Sequence, residues 1–187
     1  MIAGALRLVS GVEKAAGVIA AFVLAAIMLI ATGDVAMRYL FNKPFAWAYD
    51  LISLYLMVAL FYLVVSGTYA HHAHVAVDIL HSYMSERVRR ICEIIICGLS
   101  TLLFGLIAWV GFNRAVTAFV DGDVIAGATE WPSWLSVAFV PFGAGLLTLR
   151  LALHFVGHIL SLFSATPLIE LPPVSGSPEA MDREMSE

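Results

Sequence analysis

Charge is what this 187-residue sequence has least of. Only 13% of its residues are charged, while 61% are hydrophobic and the mean hydropathy is +0.92. Soluble domains carry about a quarter charged residues, so the composition excludes an ordinary soluble globule and points to a membrane protein. The net charge is −4, with many of the acids in the C-terminal tail, and this balance gives no reason to expect a nucleic-acid partner. Cysteine is nearly absent. Cys92 and Cys97 stand five apart in one apolar run, where a helix points them in different directions, so both read as small apolar fillers rather than a bridge. Period-two alternation is missing, which argues against a β-barrel. P-loop, nucleophile-elbow and dinucleotide signatures are missing, which argues against an enzyme. No internal repeat is evident, which argues against a self-contained inverted-repeat transporter. The first apolar stretch has a basic start but runs on to Asp34 and Arg38 without a small-residue cleavage site, so it is expected to stay as a permanent helix.

What is present is apolar length. A hydrocarbon core of about 30 Å needs about 20 residues of helix, and four segments supply them: Ala15 to Met37, Trp47 to Tyr69, Ile91 to Phe112, and Trp131 into the 150s. Backbone groups in lipid must bond within their own segment, so the expected fold is all-α, an integral membrane protein of four transmembrane helices with short interfacial helices. Residues 1–14 form an interfacial or cytoplasmic lead-in, 15–163 the membrane domain, and 164–187 an acidic tail rich in Pro and Ser that is expected to be disordered. Arg7 and Lys14 before the first helix, Arg87, Arg89 and Arg90 before the third, and Arg183 in the tail place both termini and the second connection in the cytoplasm. Arg38, Lys43 and Arg114 fall on the other side, with the acidic loop DGDVIAGATE.

The first connection, RYLFNKPFAWAYD, is unusual for a loop. Asp34 and Arg38 are four apart and can pair on one helix face, or Arg38 can reach across to Asp50, which opens the second helix. Tyr39, Phe41, Phe45, Trp47 and Tyr49 sit at one depth and suit an aromatic belt at the headgroups, with Trp131 and Trp134 at the same level. Asn42 and Pro44 suit the sharp passage between helices. Arg150 lies about 28 Å along a helix from Trp131, where its guanidinium is expected to reach headgroups. Ala16, Gly17, Ala20, Ala21 and Ala25 offer a small-residue face for close helix packing, and Pro141, Gly143, Ala144 and Gly145 can kink or thin the fourth helix.

Six histidines gather toward one side: His71, His72, His74 and His81 after the second helix, and His154 and His158 late in the fourth. His74 and Asp78 are four apart and suggest a local helix. No Cys or carboxylate completes a recognisable zinc pattern, and interfacial histidines are the plainer reading.

Taken together, the sequence resembles the small, DctQ-like membrane subunit of tripartite ATP-independent periplasmic (TRAP) transporters. The likeness rests on Arg38-Tyr39, Phe41-Asn42, Pro44, Trp47 and Asp50, where the family usually has Glu at the last position. It rests further on Gly67 followed by HVAVD with His74 and Asp78, on WLSVAFVPFG with Pro141 and Gly143, and on Arg150 about two turns on. The resemblance spans about residues 15 to 160. It implies a non-catalytic subunit without cofactor or substrate site, set in the bacterial inner membrane. Its partners would be a large membrane subunit that carries the substrate and sodium sites and a periplasmic protein that captures an organic acid. The same residues, Arg38, Asn42, Trp47, Asp50, His74, Asp78, Pro141, Gly143 and Arg150, are then candidates for structure and partner contact. A second reading, a haem- or quinone-binding membrane anchor of a redox complex, rests on the histidines converging on one side.

Overall fold

A computed structural model describes residues 2–70, 85–125 and 130–163. Four helices are long and apolar enough to cross a membrane, so the expected integral-membrane, all-α class is what the chain adopts. They are α1 (Ile2–Phe41), α2 (Ala48–Ala70), α3 (Glu86–Asp121) and α4 (Ser133–Phe163). A two-residue antiparallel ribbon, β1 (Val124–Ile125) with β2 (Trp131–Pro132), closes the α3–α4 connection, pairing Val124 with Pro132 and Ile125 with Trp131.

The helices outrun their apolar cores. The 40 residues of α1 reach about 60 Å at helical rise, twice the hydrocarbon thickness. The lead-in over residues 1–14 is therefore not a separate interfacial helix: from Ile2 onward it is the first turns of α1. Hydropathy marks the part of a helix that lipid requires, whereas backbone hydrogen bonding continues through Arg7, Glu13 and Lys14 because nothing there breaks it. The third helix likewise runs nine residues past Phe112 and stops where Gly122 takes φ +66°. The amide of Asp123 then bonds the carbonyl of Ala118 at 3.0 Å, closing the left-handed cap that glycine makes accessible. After Arg150, α4 continues without a break to Phe163. The tail over 164–187 and the HVAVD element lie outside the described residues.

The helices pack in a row, α1 against α2, α2 against α4, and α4 against α3, with the α3–α4 contact the most extensive. Buried positions on α1 are Val9, Glu13, Ala16 and Ala20, spaced four, three and four, which is one helix face. Of the small residues expected to pack, Ala16 and Ala20 do, against Ala59 and Leu63 of α2, while Ala21 and Ala25 are exposed. The α3–α4 pair runs antiparallel in a register that glycines permit. Gly98 faces Phe155, Gly105 faces Thr148, and Gly111 faces Val140 and Pro141. Where water supplies no driving force, such close approach lets dispersion contacts hold helices together.

Two irregularities sit where helices cross. Residues Ile52–Leu56 of α2 form a π-helical turn, and the Ser136 hydroxyl of α4 donates to the Leu54 carbonyl within it. Tyr55, in the same turn, donates its hydroxyl to the Pro132 carbonyl at 2.7 Å. Further along, Gly143 lies on the α2 backbone: a β-carbon there would stand 2.0 Å from the Tyr62 carbonyl oxygen. Gly143 thus sets the α2–α4 separation rather than thinning α4 alone. Gly145, two residues on, has open space around it. Gly143→Ala is expected to destabilise the fold by about 1–3 kcal/mol, whereas Gly145→Ala leaves it unchanged or slightly firmer. Thermal unfolding of the detergent-purified variants distinguishes them, and equal midpoints would refute the crossing argument.

Candidate functional site

Polar side chains gather at the two ends of the helix row. At one end is the corner between α1 and α2. Arg38 Nη2 meets Asp34 Oδ2 at 2.9 Å, and the other oxygen of Asp34 accepts the Phe45 amide at 2.7 Å. One carboxylate therefore holds both the last turns of α1 and the returning chain. Asn42 takes φ +53°, a left-handed conformation that asparagine tolerates better than most residues, and this turns the chain out of α1. Trp47 caps the start of α2 and stacks on Phe45 with ring centroids 5.4 Å apart. Asp50 lies in the first turn of α2, where the helix N-terminus favours a carboxylate. Tyr39, Phe41 and Tyr49 are exposed around this corner, consistent with rings at the headgroup level.

The opposite end, which carries the chain's N-terminal turns, holds a buried charge pair. Arg150 of α4 donates through Nη1 to Glu13 Oε2, and the Ser66 hydroxyl of α2 donates to Glu13 Oε1 at 2.5 Å. Glu13 is 7% exposed, Arg150 8% and Ser66 fully enclosed, so three helices meet in one network away from solvent and lipid. The expectation that Arg150 reaches headgroups is overturned. A guanidinium left in lipid costs several kcal/mol, and Glu13 offers it an opposite charge inside the protein. Its Nε finds no hydrogen-bond partner among the described residues. Val65, next to Ser66 in sequence, and Leu147 and Leu151, flanking Arg150 on α4, form a buried apolar cluster.

Further polar groups continue from this network along the α3–α4 contact. The Tyr69 hydroxyl lies 3.6 Å from Cys97 Sγ, and the rings of Tyr69 and His154 meet edge-on at 5.5 Å. Glu93, Cys97 and His158 bring their donor atoms within 4.8 Å of one another. Cys92 and Cys97 are both free thiols, as their spacing predicts. Sequence spacing shows no zinc pattern around the histidines; the antiparallel register is what brings Glu93 and Cys97 to a residue more than sixty positions later. His154 and His158 follow one another on a single helix, with rings 6.3 Å apart, and so do not offer opposed axial ligands to a haem. His71, His72, His74, Asp78 and His81 lie outside the described residues.

Arrangement and sequence agree on what this is. The family description "Tripartite ATP-independent periplasmic transporters, DctQ component" matches residues 27–161. The chain belongs to the DctQ family. The match covers well over half its length, including the corner from Arg38 to Asp50 and the Pro141, Gly143 and Arg150 region. No curated protein and no solved structure matches the chain. This DctQ protein is a component of a TRAP transporter, with four membrane-crossing helices. Glu13 precedes the matched region, so the partner of Arg150 lies outside the part by which the family is known.

Removing one member of a buried ion pair strands the other, at a cost of about 3–5 kcal/mol, whereas replacing both by apolar residues is close to neutral. Arg150→Met is therefore expected to lower stability by about that amount and Glu13→Leu/Arg150→Met to recover most of it. Thermal unfolding of the single and double variants measures the coupling, and additive losses would contradict it.

Proposed function

We propose that this DctQ protein is a non-catalytic scaffold subunit: it packs against the large membrane subunit of its transporter and holds that subunit's fixed part in the bilayer. The observation that carries this reading is the distribution of charge. Two ion pairs among the described residues lie at the two ends of the helix row, Asp34–Arg38 at one and Glu13–Arg150 at the other, each formed within the chain. Between them, among the described residues, the helices carry no Asp, Glu, Lys or Arg. A substrate and ion site of a secondary transporter lies near the bilayer midplane and needs convergent polar groups there. The outer helices meanwhile expose long apolar faces, with Phe22, Met28 and Leu29 on α1 and Leu102, Leu103 and Trp109 on α3. Lipid or a partner helix can cover such faces, and the row shape gives a partner a broad side to join.

On this reading the large subunit carries the substrate and coupling-ion sites, sodium by the family pattern, and a periplasmic binding protein delivers an organic acid. The chain lies in the bacterial inner membrane with both termini cytoplasmic. Arg38 and Lys43 then face the periplasm against the positive-inside tendency. Asp34 neutralises Arg38, one of the three cations on that side with Lys43 and Arg114. The corner's exposed rings anchor it at the outer headgroups.

Trp47→Ala and Asp34→Ala are expected to reduce recovery of the large subunit with an affinity-tagged copy of this chain by severalfold, and uptake in proportion. Affinity of the isolated binding protein for its substrate stays unchanged, because that protein is not altered. A chain that carries out uptake in liposomes without the large subunit would refute the scaffold role, and a cytoplasmic signal from a reporter fused at Asp121 would refute the orientation.

A further inference from the structure

We propose that Glu93, Cys97 and His158 form a binding site for a divalent transition metal of the zinc type at the α3–α4 contact. Glu93 and Cys97 are four apart and so share one face of α3. The antiparallel register seen at Gly98–Phe155 and Gly105–Thr148 brings His158 of α4 opposite that face. The carboxylate, thiol and imidazole donors then lie within 4.8 Å of one another. Thiolate, imidazole and carboxylate are zinc's own ligand types, at about 2.0–2.3 Å from the metal. Tetrahedral donors at those lengths stand about 3.3–3.8 Å apart, so side-chain rotation that draws the three groups together by roughly 1 Å closes the present arrangement onto an ion. Three protein ligands leave a fourth tetrahedral position for water.

A second observation points to a ligand independently of the clustering. His158 is 2% exposed, and its Nδ1 is buried without a hydrogen-bond partner among the described residues. Buried polar atoms are ordinarily paired. A plain packing role explains Cys97, which is 1% exposed beside the Tyr69 hydroxyl, but it leaves the imidazole nitrogen unaccounted for. Metal binding engages both ring sides, since a ligating histidine gives one nitrogen to the ion and directs the other to a second-shell acceptor. The Cys97 thiol gives up its proton to solvent as the metal–sulfur bond forms, and the two anionic donors, thiolate and carboxylate, then balance the dication. The ion would staple α3 to α4 at the end where Arg150 ties α4 to α1.

The test uses the full chain carrying Cys92→Ser, so that Cys97 is its one thiol, purified metal-free in detergent and titrated with Co2+. The expected result is a near-ultraviolet thiolate-to-cobalt charge-transfer band that saturates at one equivalent and is displaced by Zn2+. Histidines elsewhere in the chain cannot produce that band. His158→Gln in the same background is expected to weaken Co2+ binding at least about tenfold. Because a variant at His158 can misfold, thermal unfolding of the Cys92→Ser protein is also followed with and without Zn2+, which should raise its midpoint by more than it raises that of Cys92→Ser/Cys97→Ser. Absence of the band in protein with intact helical circular dichroism would overturn the site, as would an unfolding midpoint that Zn2+ raises equally with and without Cys97. Either result leaves the DctQ assignment standing.

Discussion

The Glu13–Arg150 pair is the contact on which the helix row depends. α1 sits at one edge and reaches α4 only slightly, so its place relative to the rest comes from α2 and from this one charge-assisted bond. Both groups are too costly to leave in lipid singly, and together, with the Ser66 hydroxyl, they are tolerable. The alternatives to the native arrangement are thereby penalised. A sliding or rotated α1 would leave Arg150 unpaired, whereas an apolar contact would accept many neighbouring positions. Val9, Ala16 and Ala20 supply closeness on the same face, and Glu13 supplies register.

The other interfaces achieve definition by shape. Glycines on α3 receive Phe155, Thr148 and Val140, and Gly143 receives the Tyr62 backbone. Between the two polar ends the row is bound by close approach alone. The outcome is a row of helices with one ion pair near each end and apolar sides left open, the form that the proposed scaffold role requires. The π-turn at Ile52–Leu56, engaged by Ser136 and adjoining the Tyr55–Pro132 bond, fastens α2 to the start of α4 at the end where the aromatic rings gather.

Much of this was legible from local pattern. Four apolar runs announced four crossings, and the four-residue spacing of Asp34 and Arg38 announced their pair. The turn at Asn42 followed from residue chemistry. What escaped was contact over distance. Glu13 and Arg150 are 137 residues apart, and Glu13 beside Lys14 looks like part of a flanking charge cluster. Its place on the Val9–Ala16–Ala20 face was the available signal, because a carboxylate on the apolar side of a helix needs a partner. Glu93, Cys97 and His158 escaped for the same reason: helical spacing relates the first two, but only the α3–α4 register adds the third. Helix ends were missed because hydropathy reports lipid contact, while Gly122 and the backbone decide where a helix stops.

The most direct test of the account is exchange of the central charges, read as substrate uptake by the assembled transporter in cells. Glu13→Arg and Arg150→Glu, each alone, bury two like charges at one point and should abolish most uptake and most recovery of the complex. Glu13→Arg/Arg150→Glu restores an opposite pair and should recover a substantial share of both. Uptake at the parental level in either single exchange would contradict the claim that this pair holds the scaffold together.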